Sequence, residues 1–499
     1  MSSTVQYILI ICVYFGAMLG IGVFFSRKNS TKSDYFLAKD KLPPAVIAFS
    51  FSATQMSGSS YLGCVGTMHS LGLAYAPVSI TSAAAPWFCY VLVGERVCRI
   101  SSRLKCMTIS DLFEERFGKR AGLVSSLIMI IAIVPVLTAQ LKAAGTAFET
   151  IIGIPYLTTI FVFGVIVILY TLVGGMFAVA WTDLIQGVLM MLGMIMLVPI
   201  ALGAAGGISG AYASFTANNP TMATFDGGGK PLLWIISGFL VYGFYQIGGQ
   251  PAAITRFQTT THPEKLKKSL VWSVLFQSVV YIGVSTLGIC SMALFPDLAA
   301  ADMALPNLIS HFLPPLLGGV VLAAALGAMM STIDSVLLMA SSLFVNNIWG
   351  KALRKPNDDK AAIHVGRIVV VVLGLLGTLF AINPPDAILW LVTMGFSLMA
   401  GAFTFPLLLG VWVKWLTPAG GLCGMIAGAV STVIWYVIGY GKYGNLNDFI
   451  GGIWPAVVGS LVSLVVLLAV SKCTAPLQKE KLDIIFDAEN EEENTSGEN

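Results

Sequence analysis

The stretch SFSATQMSGSS, residues 50–60, determines how the rest of the sequence is interpreted. It consists almost entirely of small or polar residues, yet it lies within an apolar segment that begins near residue 46. A helix that breaks at such a place frees backbone carbonyls and amides, which can then bind an ion or a small molecule. Close helix packing through small residues is the alternative interpretation.

The surrounding sequence has the composition of a membrane protein. Hydrophobic residues make up 56% of the chain and charged residues 11%, and the mean hydropathy is +0.83. Soluble domains typically carry about 25% charged residues. Apolar segments of about 18–25 residues recur, each long enough to cross about 30 Å of hydrocarbon as a helix. We predict an all-α polytopic membrane protein with about 13 transmembrane helices, starting near residues 5, 46, 77, 121, 156, 183, 232, 270, 314, 366, 387, 420 and 450.

The distribution of Lys and Arg predicts the orientation of these helices, because cytoplasmic loops carry an excess of basic residues. With the N-terminus outside, all but three of the 28 basic residues fall on the inner side. The exceptions are Lys142, Lys230 and Lys442. We therefore expect a multi-pass protein of the cell membrane with a cytoplasmic C-terminus. Residues 1–475 are predicted to form a single transmembrane domain, and the acidic residues 476–499 a disordered cytoplasmic tail.

A second interrupted helix is predicted five helices after the first. Residues 238–257 read GFLVYGFYQIGGQPAAITRF, with two adjacent glycines followed by Gln250 and Pro251. Pro251 removes one backbone donor and clashes with the preceding helical turn. Two Gly/Pro-interrupted helices at matching positions in two halves are typical of an inverted-repeat transporter.

The sequence resembles the sodium:solute symporter family in five blocks. They are ATQMSG (53–58), YTLVGGMFAVAWTDLIQG (170–187), GGQPAAITRF (248–257), ALGAMMSTIDSVLL (325–338) and NPPDAILWLVTMGF (383–396). The resemblance extends over about residues 5–470. It implies an APC/LeuT-like transporter core of two inverted five-helix repeats, at about 46–205 and 232–413. It also implies secondary active transport with Na⁺ as the coupling ion.

The resemblance implies a sodium site between the first broken helix and the ninth helix. The carbonyls of Ala53 and Met56 would face Ala328, Ser331 and Thr332. The spacing agrees with this site, because positions 328, 331 and 332 share one helical face. Hard cations prefer oxygen ligands, which these groups supply. Hydrogen bonding of Ser331 and Thr332 to their own preceding turn is the alternative.

Two carboxylates lie within predicted helices. Asp183 lies at the predicted cytoplasmic start of the sixth helix, where an acid can cap free amides. The resemblance instead implies a carboxylate on the inward cation path, either a second sodium ligand or an exit relay. Asp334 lies mid-helix, and an intramembrane acid is a functional hypothesis by default. Its expected partners are Ser335, a hydroxyl on the second helix, or an ion.

The expected substrate is a small organic acid or zwitterion, pantothenate-like first, with proline and monocarboxylates as alternatives. Relatives that transport proline carry an aspartate in place of Gln55, which puts in doubt both a proline substrate and a second sodium site that relies on that acid. Lys142 either extends to the outer interface or meets an anionic substrate. The expected substrate-binding residues are Gln55, Ser57, Gln140, Tyr242, Tyr245, Gln246 and Gln250.

Other function classes are less compatible with the sequence. An enzyme would need a nucleophile–base or metal constellation, but the four histidines lie near predicted loops or helix ends, and the eight cysteines form no CxxC pair. A transporter-like sensor would need a signalling domain, and the chain ends about 25 residues after the last predicted span. The expected partners are the lipid bilayer and a small molecule. We expect neither nucleic acid nor an obligatory protein partner.

Overall fold

A computed structural model describes residues 3–26, 31–227, 229–355, 358–384, 388–446 and 448–486. Within these ranges all regular secondary structure is helical. In the described part of the chain, eleven continuous helical stretches are long and apolar enough to cross a membrane. The prediction of an all-α polytopic membrane protein is therefore confirmed, whereas the count of about 13 spans stays a prediction.

The helices are numbered in chain order. The first half of the chain forms α1 (Ser3–Ser26), α2 (Lys32–Leu37), α3 (Pro44–Gln55), α4 (Cys64–Leu71), α5 (Ala76–Cys89), α6 (Glu95–Arg103), α7 (Ile109–Phe117), α8 (Lys119–Ile152), α9 (Tyr156–Ala204) and α10 (Gly207–Asn218). The second half forms α11 (Leu232–Phe244), α12 (Pro251–Ile254), α13 (Pro263–Leu294), α14 (Ala304–Phe312), α15 (Pro315–Leu343), α16 (Asp359–Ala381), α17 (Ile388–Trp412), α18 (Pro418–Tyr443), α19 (Pro455–Cys473) and α20 (Lys479–Phe486). Six of these helices begin at a proline, whose fixed φ and missing N–H suit the first helical position.

Helix α9 accounts for one difference between the predicted and observed numbers of spans. Its 49 residues would extend about 73 Å if straight, more than twice the thickness of a bilayer core. Gly175 interrupts it with φ 63° and ψ −178°, a backbone conformation that residues with a side chain rarely adopt. The kink divides α9 into 156–174 and 176–204, which correspond to the predicted fifth and sixth helices.

Both predicted helix breaks are present. Helix α3 ends at Gln55, Met56 is extended with φ −84° and ψ 91°, and a π-helical segment, Ser59–Gly63, precedes α4. The second break follows another π-helical segment, Tyr245–Gly249, and α12 begins after it at Pro251.

The second break packs closely against a neighbouring helix. A Cβ atom at Gly248 would lie 2.3 Å from the backbone nitrogen of Thr404 in α17. Only glycine therefore permits this approach. Around the two breaks, α15 packs against α3 and α9, α13 packs against α3 and α9, and α17 packs against α8 and Tyr245–Gly249. The breaks are consequently enclosed by other helices, while the repeat boundaries at 46–205 and 232–413 stay a prediction.

Ion pairs connect the helices at both ends of the molecule. At the predicted inner end, Lys351 Nζ lies 2.7 Å from Asp111 Oδ1 and 2.9 Å from Glu114 Oε2. At the predicted outer end, Lys230 Nζ lies 3.0 Å from Asp448 Oδ1. Partial burial alone would raise the pKa of Asp448, but the hydrogen bond and charge of Lys230 outweigh this effect and lower that pKa.

The C-terminal segment differs in part from the predicted disordered tail. Residues 479–486 of that tail form α20, and the side chains of Ile485 and Phe486 are buried. The Phe486 ring lies 5.7 Å from the guanidinium carbon of Arg116. The apolar end of α20 therefore packs against the helix ends on this side. The rest of the predicted tail, 487–499, and residues 385–387 of the fifth family block lie outside the described residues.

Candidate functional site

Backbone and hydroxyl oxygens converge where α3 ends against the middle of α15. Ser331 Oγ donates to the carbonyl of Ala53 at 2.9 Å, and Thr332 Oγ1 donates to the carbonyl of Thr54 at 3.1 Å. Both hydroxyls also donate to the carbonyl of Ala328 at 3.2 Å. These five residues, which we call the oxygen cluster, are almost completely buried.

The oxygen cluster contains four of the six residues predicted to bind sodium, and Met56 and Asp183 lie outside it. The carbonyls of Ala53 and Thr54 belong to the last turn of α3, where helix termination leaves carbonyls without intrahelical partners. A hydroxyl has two acceptor lone pairs and can rotate to present them to a cation. The hydrogen bonds from Ser331 and Thr332 to their own preceding turn are also present. The geometry therefore agrees with both interpretations, a sodium site and back-bonding within the helix. Thr54 was not predicted, and the extended Met56 stays a prediction.

A charge cluster lies next to the oxygen cluster. Arg256 Nη2 is 3.2 Å from Asp183 Oδ2, and both side chains are fully buried. Ser50 Oγ donates to Asp183 Oδ2 at 2.6 Å and accepts from Arg256 Nε at 2.9 Å. Asp183 is therefore bound by side chains from other parts of the fold, which is not the arrangement of a simple helix cap.

Asp334 belongs to the same charge cluster. Ser335 Oγ accepts a hydrogen bond from Arg256 Nη2 at 2.5 Å and donates one to Asp334 Oδ1 at 3.4 Å. The predicted partnership of Asp334 and Ser335 is thus present. Among the described residues, Asp183 Oδ1 and Asp334 Oδ2 are buried without a hydrogen-bond partner. Two carboxylates and one guanidinium have a formal charge of −1, which favours a cation nearby.

The burial of Arg256 was not predicted from the sequence. The residue precedes a basic segment at 265–268 and was assigned to an inner loop, leaving Lys142 as the only basic residue placed inside a span. The structure buries the guanidinium of Arg256 completely. The available signal was its position five residues after Pro251, within about one and a half helical turns of the predicted break.

The charge cluster lies to one side of the oxygen cluster along two helices. Ser50 precedes Ala53 by three residues on α3, and Ser335 follows Thr332 by three residues on α15. Three residues correspond to about 4.5 Å along a helix. In the predicted orientation α3 runs outward and α15 runs inward, so both shifts point towards the cytoplasm.

The predicted substrate residues of the second break include two neighbouring tyrosines. The rings of Tyr242 and Tyr245 meet edge to face at 5.3 Å, and the Tyr245 hydroxyl is 2.8 Å from Ser397 Oγ. Among the described residues, the side-chain oxygens of Gln246 and Gln250 are buried without a hydrogen-bond partner.

A small cavity joins the two breaks to the oxygen cluster. Gln250, Thr54 and Thr332 line it, and its volume is about 10 Å³. Such a volume holds about one water-sized particle. The structure therefore brings a predicted substrate residue and a predicted sodium residue to the same space.

The predicted substrate residues of the first break have different surroundings. Gln140 Oε1 accepts from the backbone N–H of Gly58 at 2.6 Å, so this side chain stabilises the break itself. Ser57 Oγ lies 2.7 Å from Ser59 Oγ. Gln55 Oε1 accepts from Nε2 of Gln277 on α13. Gln277 was not predicted, and its contact with Gln55 comes from the packing of α13 on α3.

Lys142 has an acidic neighbour near the predicted outer side. Its Nζ lies 3.9 Å from Asp302 Oδ2. The same carboxylate oxygen accepts from the backbone N–H of Ile388 at 3.2 Å, at the start of α17. The charge of Lys142 is therefore balanced within the protein by an acid.

Comparisons with known proteins agree with this geometry. The model of the sodium:solute symporter family matches residues 35–428. The sodium/pantothenate symporter of Haemophilus influenzae is 28% identical over 468 residues, covering 92% of this chain and 95% of the relative. A sodium/proline symporter of Staphylococcus aureus strain JH9 is 30% identical over 490 residues, covering 94% of this chain and 93% of the relative.

The fold is also shared with a solved structure of a Na⁺-coupled sialic acid symporter in a substrate-bound outward-open state. The TM-score is 0.80 at 22% sequence identity, over 95% of this chain and 99% of that chain. This likeness confirms the APC/LeuT-like fold of inverted repeats that the family resemblance implied. The family match over most of the length confirms a transporter rather than an enzyme. The chain belongs to the sodium:solute symporter family.

Proposed function

We propose that the protein is a sodium-coupled symporter that carries a small organic acid or zwitterion into the cell by alternating access. The observation that carries this proposal is the oxygen cluster, where carbonyls of Ala53 and Thr54 meet the hydroxyls of Ser331 and Thr332. Several neutral oxygens from two helices suit a hard monovalent cation. The Na⁺ ion would bind there, with Met56 as a further ligand.

A pantothenate-like acid is the first candidate for the substrate, and proline or a short monocarboxylate is the alternative. Relatives of this chain include symporters for pantothenate and for proline. The neutral Gln55 at the first break favours the pantothenate-like acid, because the proline-transporting relatives carry an acid there. The substrate would contact the two breaks through residues of the predicted set. Within the described part of the chain, Gln55, Gln246 and Gln250 each have a buried side-chain atom without a hydrogen-bond partner.

The ion and the substrate would be coupled because both would contact the end of α3. Thr54 accepts from Thr332 through its carbonyl, and the next residue is Gln55. An ion that holds the end of α3 would therefore also fix the side chain of Gln55. A ligand shifts a conformational equilibrium by its differential affinity for the two states. Bound Na⁺ would accordingly increase the affinity for the substrate.

We also propose that the cation leaves past the charge cluster to the cytoplasm. This path needs the N-terminus outside and the C-terminus inside, as the distribution of basic residues indicates. Asp183 and Asp334 would attract the cation along the path, because each has a carboxylate oxygen without a protein hydrogen bond among the described residues. The inward shift of this cluster along α3 and α15 supports the assignment.

Uptake into proteoliposomes tests the proposed function. With an imposed inward sodium gradient, pantothenate, proline and propionate are offered separately as labelled substrates. We expect saturable accumulation of pantothenate that stops when choline replaces Na⁺, with protein-free liposomes as the control. Accumulation of any of these solutes that is independent of Na⁺ would contradict sodium coupling. Binding without accumulation would indicate a transporter-like sensor.

The role of Lys142 gives a second test. Lys142→Gln removes the charge but keeps a polar side chain of similar length. Because the ammonium lies 3.9 Å from Asp302, we expect the half-saturating concentration of the acid substrate to stay within about threefold of wild type. Initial rates of uptake at several substrate concentrations give this value.

The matched control for Lys142 is Asp302→Asn, which removes the other charge of the pair and is expected to have an equally small effect. A loss of apparent affinity of about tenfold or more, equivalent to about 1.4 kcal/mol, would contradict the pairing role if uncharged amide analogues lost nothing. In that case the lysine would contact the substrate carboxylate.

A further inference from the structure

Two glutamines on different helices form a buried amide pair at the first break. Gln277 Nε2 of α13 donates to Gln55 Oε1 at the end of α3. Gln55 is 2% exposed and Gln277 is 0% exposed. Among the described residues, Gln55 Nε2 and Gln277 Oε1 have no hydrogen-bond partner. The pair therefore retains one unused donor group and one unused acceptor.

This combination does not depend on how the two side-chain amides are oriented. A primary amide carries one carbonyl acceptor and one NH₂ donor group. When two such amides share one hydrogen bond, the atoms left over are always one carbonyl and one NH₂ group. Reversing both amides exchanges the residues that carry them and nothing else. Buried polar atoms normally have partners, so an unpaired donor and acceptor at one place indicate a ligand.

The amide pair lies where α13 contacts the broken helix. Ser273, Gln277 and Tyr281 follow one another at four-residue intervals and so share one face of α13. Ser273 Oγ donates to the carbonyl of Ala48 at 3.3 Å, and the Tyr281 hydroxyl lies 3.4 Å from Ser60 Oγ. Gln277 is thus held between a contact before the break and a contact after it.

Aromatic rings connect this place to the second break. The Tyr242 ring meets the rings of Tyr281 at 6.3 Å and Tyr245 at 5.3 Å, both edge to face. The amide pair and the tyrosine rings together supply polar and apolar groups next to the first break. Pockets for small molecules typically combine a mostly apolar wall with a few placed polar groups.

The amide pair is neutral, and the neighbouring charges are already balanced in part. The guanidinium of Arg256 is bound to Asp183 on the inward side of α3. Because both amides are neutral, the pair does not favour a carboxylate over a neutral acceptor through charge. Its unused donor and acceptor instead match a group that accepts and donates at once, as a secondary amide or a hydroxyl does.

We propose that Gln55 and Gln277 together bind a neutral amide or hydroxyl group of the substrate. The pair selects small acids that carry such a group and disfavours simple monocarboxylates. A site built to hydrogen-bond a substrate group rejects the analogue that lacks it, because its own polar atoms then stay unpaired. The inference rests on the proposed function, since it concerns the substrate of the sodium-coupled symport.

Methionine substitutions test the amide pair, because methionine has a similar length and no hydrogen-bonding amide. In proteoliposomes with a sodium gradient, Gln55→Met and Gln277→Met are each expected to raise the half-saturating concentration of pantothenate by about tenfold or more. Pantothenate carries an amide and hydroxyls, whereas propionate carries only the carboxylate. Inhibition by propionate should stay unchanged.

The double variant tests whether Gln55 and Gln277 act as one unit. Each single substitution already destroys the pair, so Gln55→Met/Gln277→Met should lose little more than either single variant. Gln186→Met is the matched control, because Gln186 is equally buried but donates to the Tyr14 hydroxyl at 3.1 Å, towards α1. Its half-saturating pantothenate concentration should equal that of wild type.

A wild-type measurement avoids any dependence on the folding of the variants. The alcohol analogue of pantothenate keeps the amide and hydroxyls and lacks the carboxylate, and it should inhibit pantothenate uptake more strongly than propionate does. Three results would overturn the inference and leave sodium symport intact. The first is weaker inhibition by the alcohol analogue than by propionate, and the second is an unchanged affinity for pantothenate in both methionine variants. The third is sodium-dependent uptake of propionate or proline but not of pantothenate. Absence of sodium-dependent uptake of all three solutes would overturn the proposed function as well.

Discussion

Replacing both Ser331 and Thr332 with alanine is expected to raise the Na⁺ concentration for half-maximal uptake by at least about thirtyfold. The two hydroxyls are the side-chain members of the oxygen cluster, and each contacts a carbonyl at the end of α3. Loss of one ligand is comparable to loss of a buried polar partner, about 1–3 kcal/mol. Two such losses reduce the affinity by at least about 2 kcal/mol, or about thirtyfold.

The measurement is the initial rate of substrate uptake at increasing external Na⁺, with choline holding the ionic strength constant. Ser341→Ala/Ser342→Ala is the matched control, because these buried residues lie on the same helix about 15 Å further along. The control should retain the sodium dependence of wild type. An Ser331→Ala/Thr332→Ala variant that is monodisperse in detergent and has unchanged sodium dependence would remove the oxygen cluster from the ion site.

The shared face of the proposed sodium residues on α15 could be predicted because its geometry is local. Positions 328, 331 and 332 share a helical face whatever surrounds them, and Gly and Pro mark a break without any knowledge of the partner helices. The same kind of reasoning found the two broken helices. The all-α membrane architecture followed from the recurring apolar segments, and the spacing of the breaks indicated inverted repeats, whereas the APC/LeuT-like core came from the family resemblance.

Arg256 and Gln277 were missed because their roles depend on contacts between distant segments. The hydropathy and the basic residues that follow favoured a loop at Arg256. In the structure its guanidinium contacts Asp183, which is 73 residues away in the sequence. Gln277 lies in an apolar helix, and its partner Gln55 is 222 residues away. An isolated amide in an apolar span signals a buried polar contact, but the sequence alone does not identify the partner.

The charge cluster and the oxygen cluster are joined through α3 and α15 and therefore cannot move independently. Thr54 accepts from Thr332 through its carbonyl, and its hydroxyl lies 2.9 Å from Ser335 Oγ, which also accepts from Arg256. A change in one cluster is transmitted by these hydrogen bonds to the other. A substitution in the charge cluster can thus affect transport through stability or through the cation path, and an experiment must separate the two.

Arg256→Met is expected to destabilise the protein by about 3–5 kcal/mol, because it leaves the fully buried Asp183 without its charged partner. Adding Asp183→Asn removes the unpaired charge and should restore much of the lost stability. Transport should not return, because the proposed cation path loses the carboxylate of Asp183. Thermal unfolding in detergent and sodium-driven uptake measure the two effects separately on the same preparations.

Arg116→Met provides the matched control for this cycle. Arg116 is also buried, but its guanidinium donates to backbone carbonyls, among them those of Gly410 and Leu416 at 2.9 and 3.0 Å. Asp183→Asn should therefore not rescue Arg116→Met, and the two effects should be additive. If Arg256→Met/Asp183→Asn is no more stable than Arg256→Met, charge pairing is not the role of Arg256. If that double variant takes up substrate at the wild-type rate, the carboxylate of Asp183 lies outside the cation path and serves only to balance the arginine.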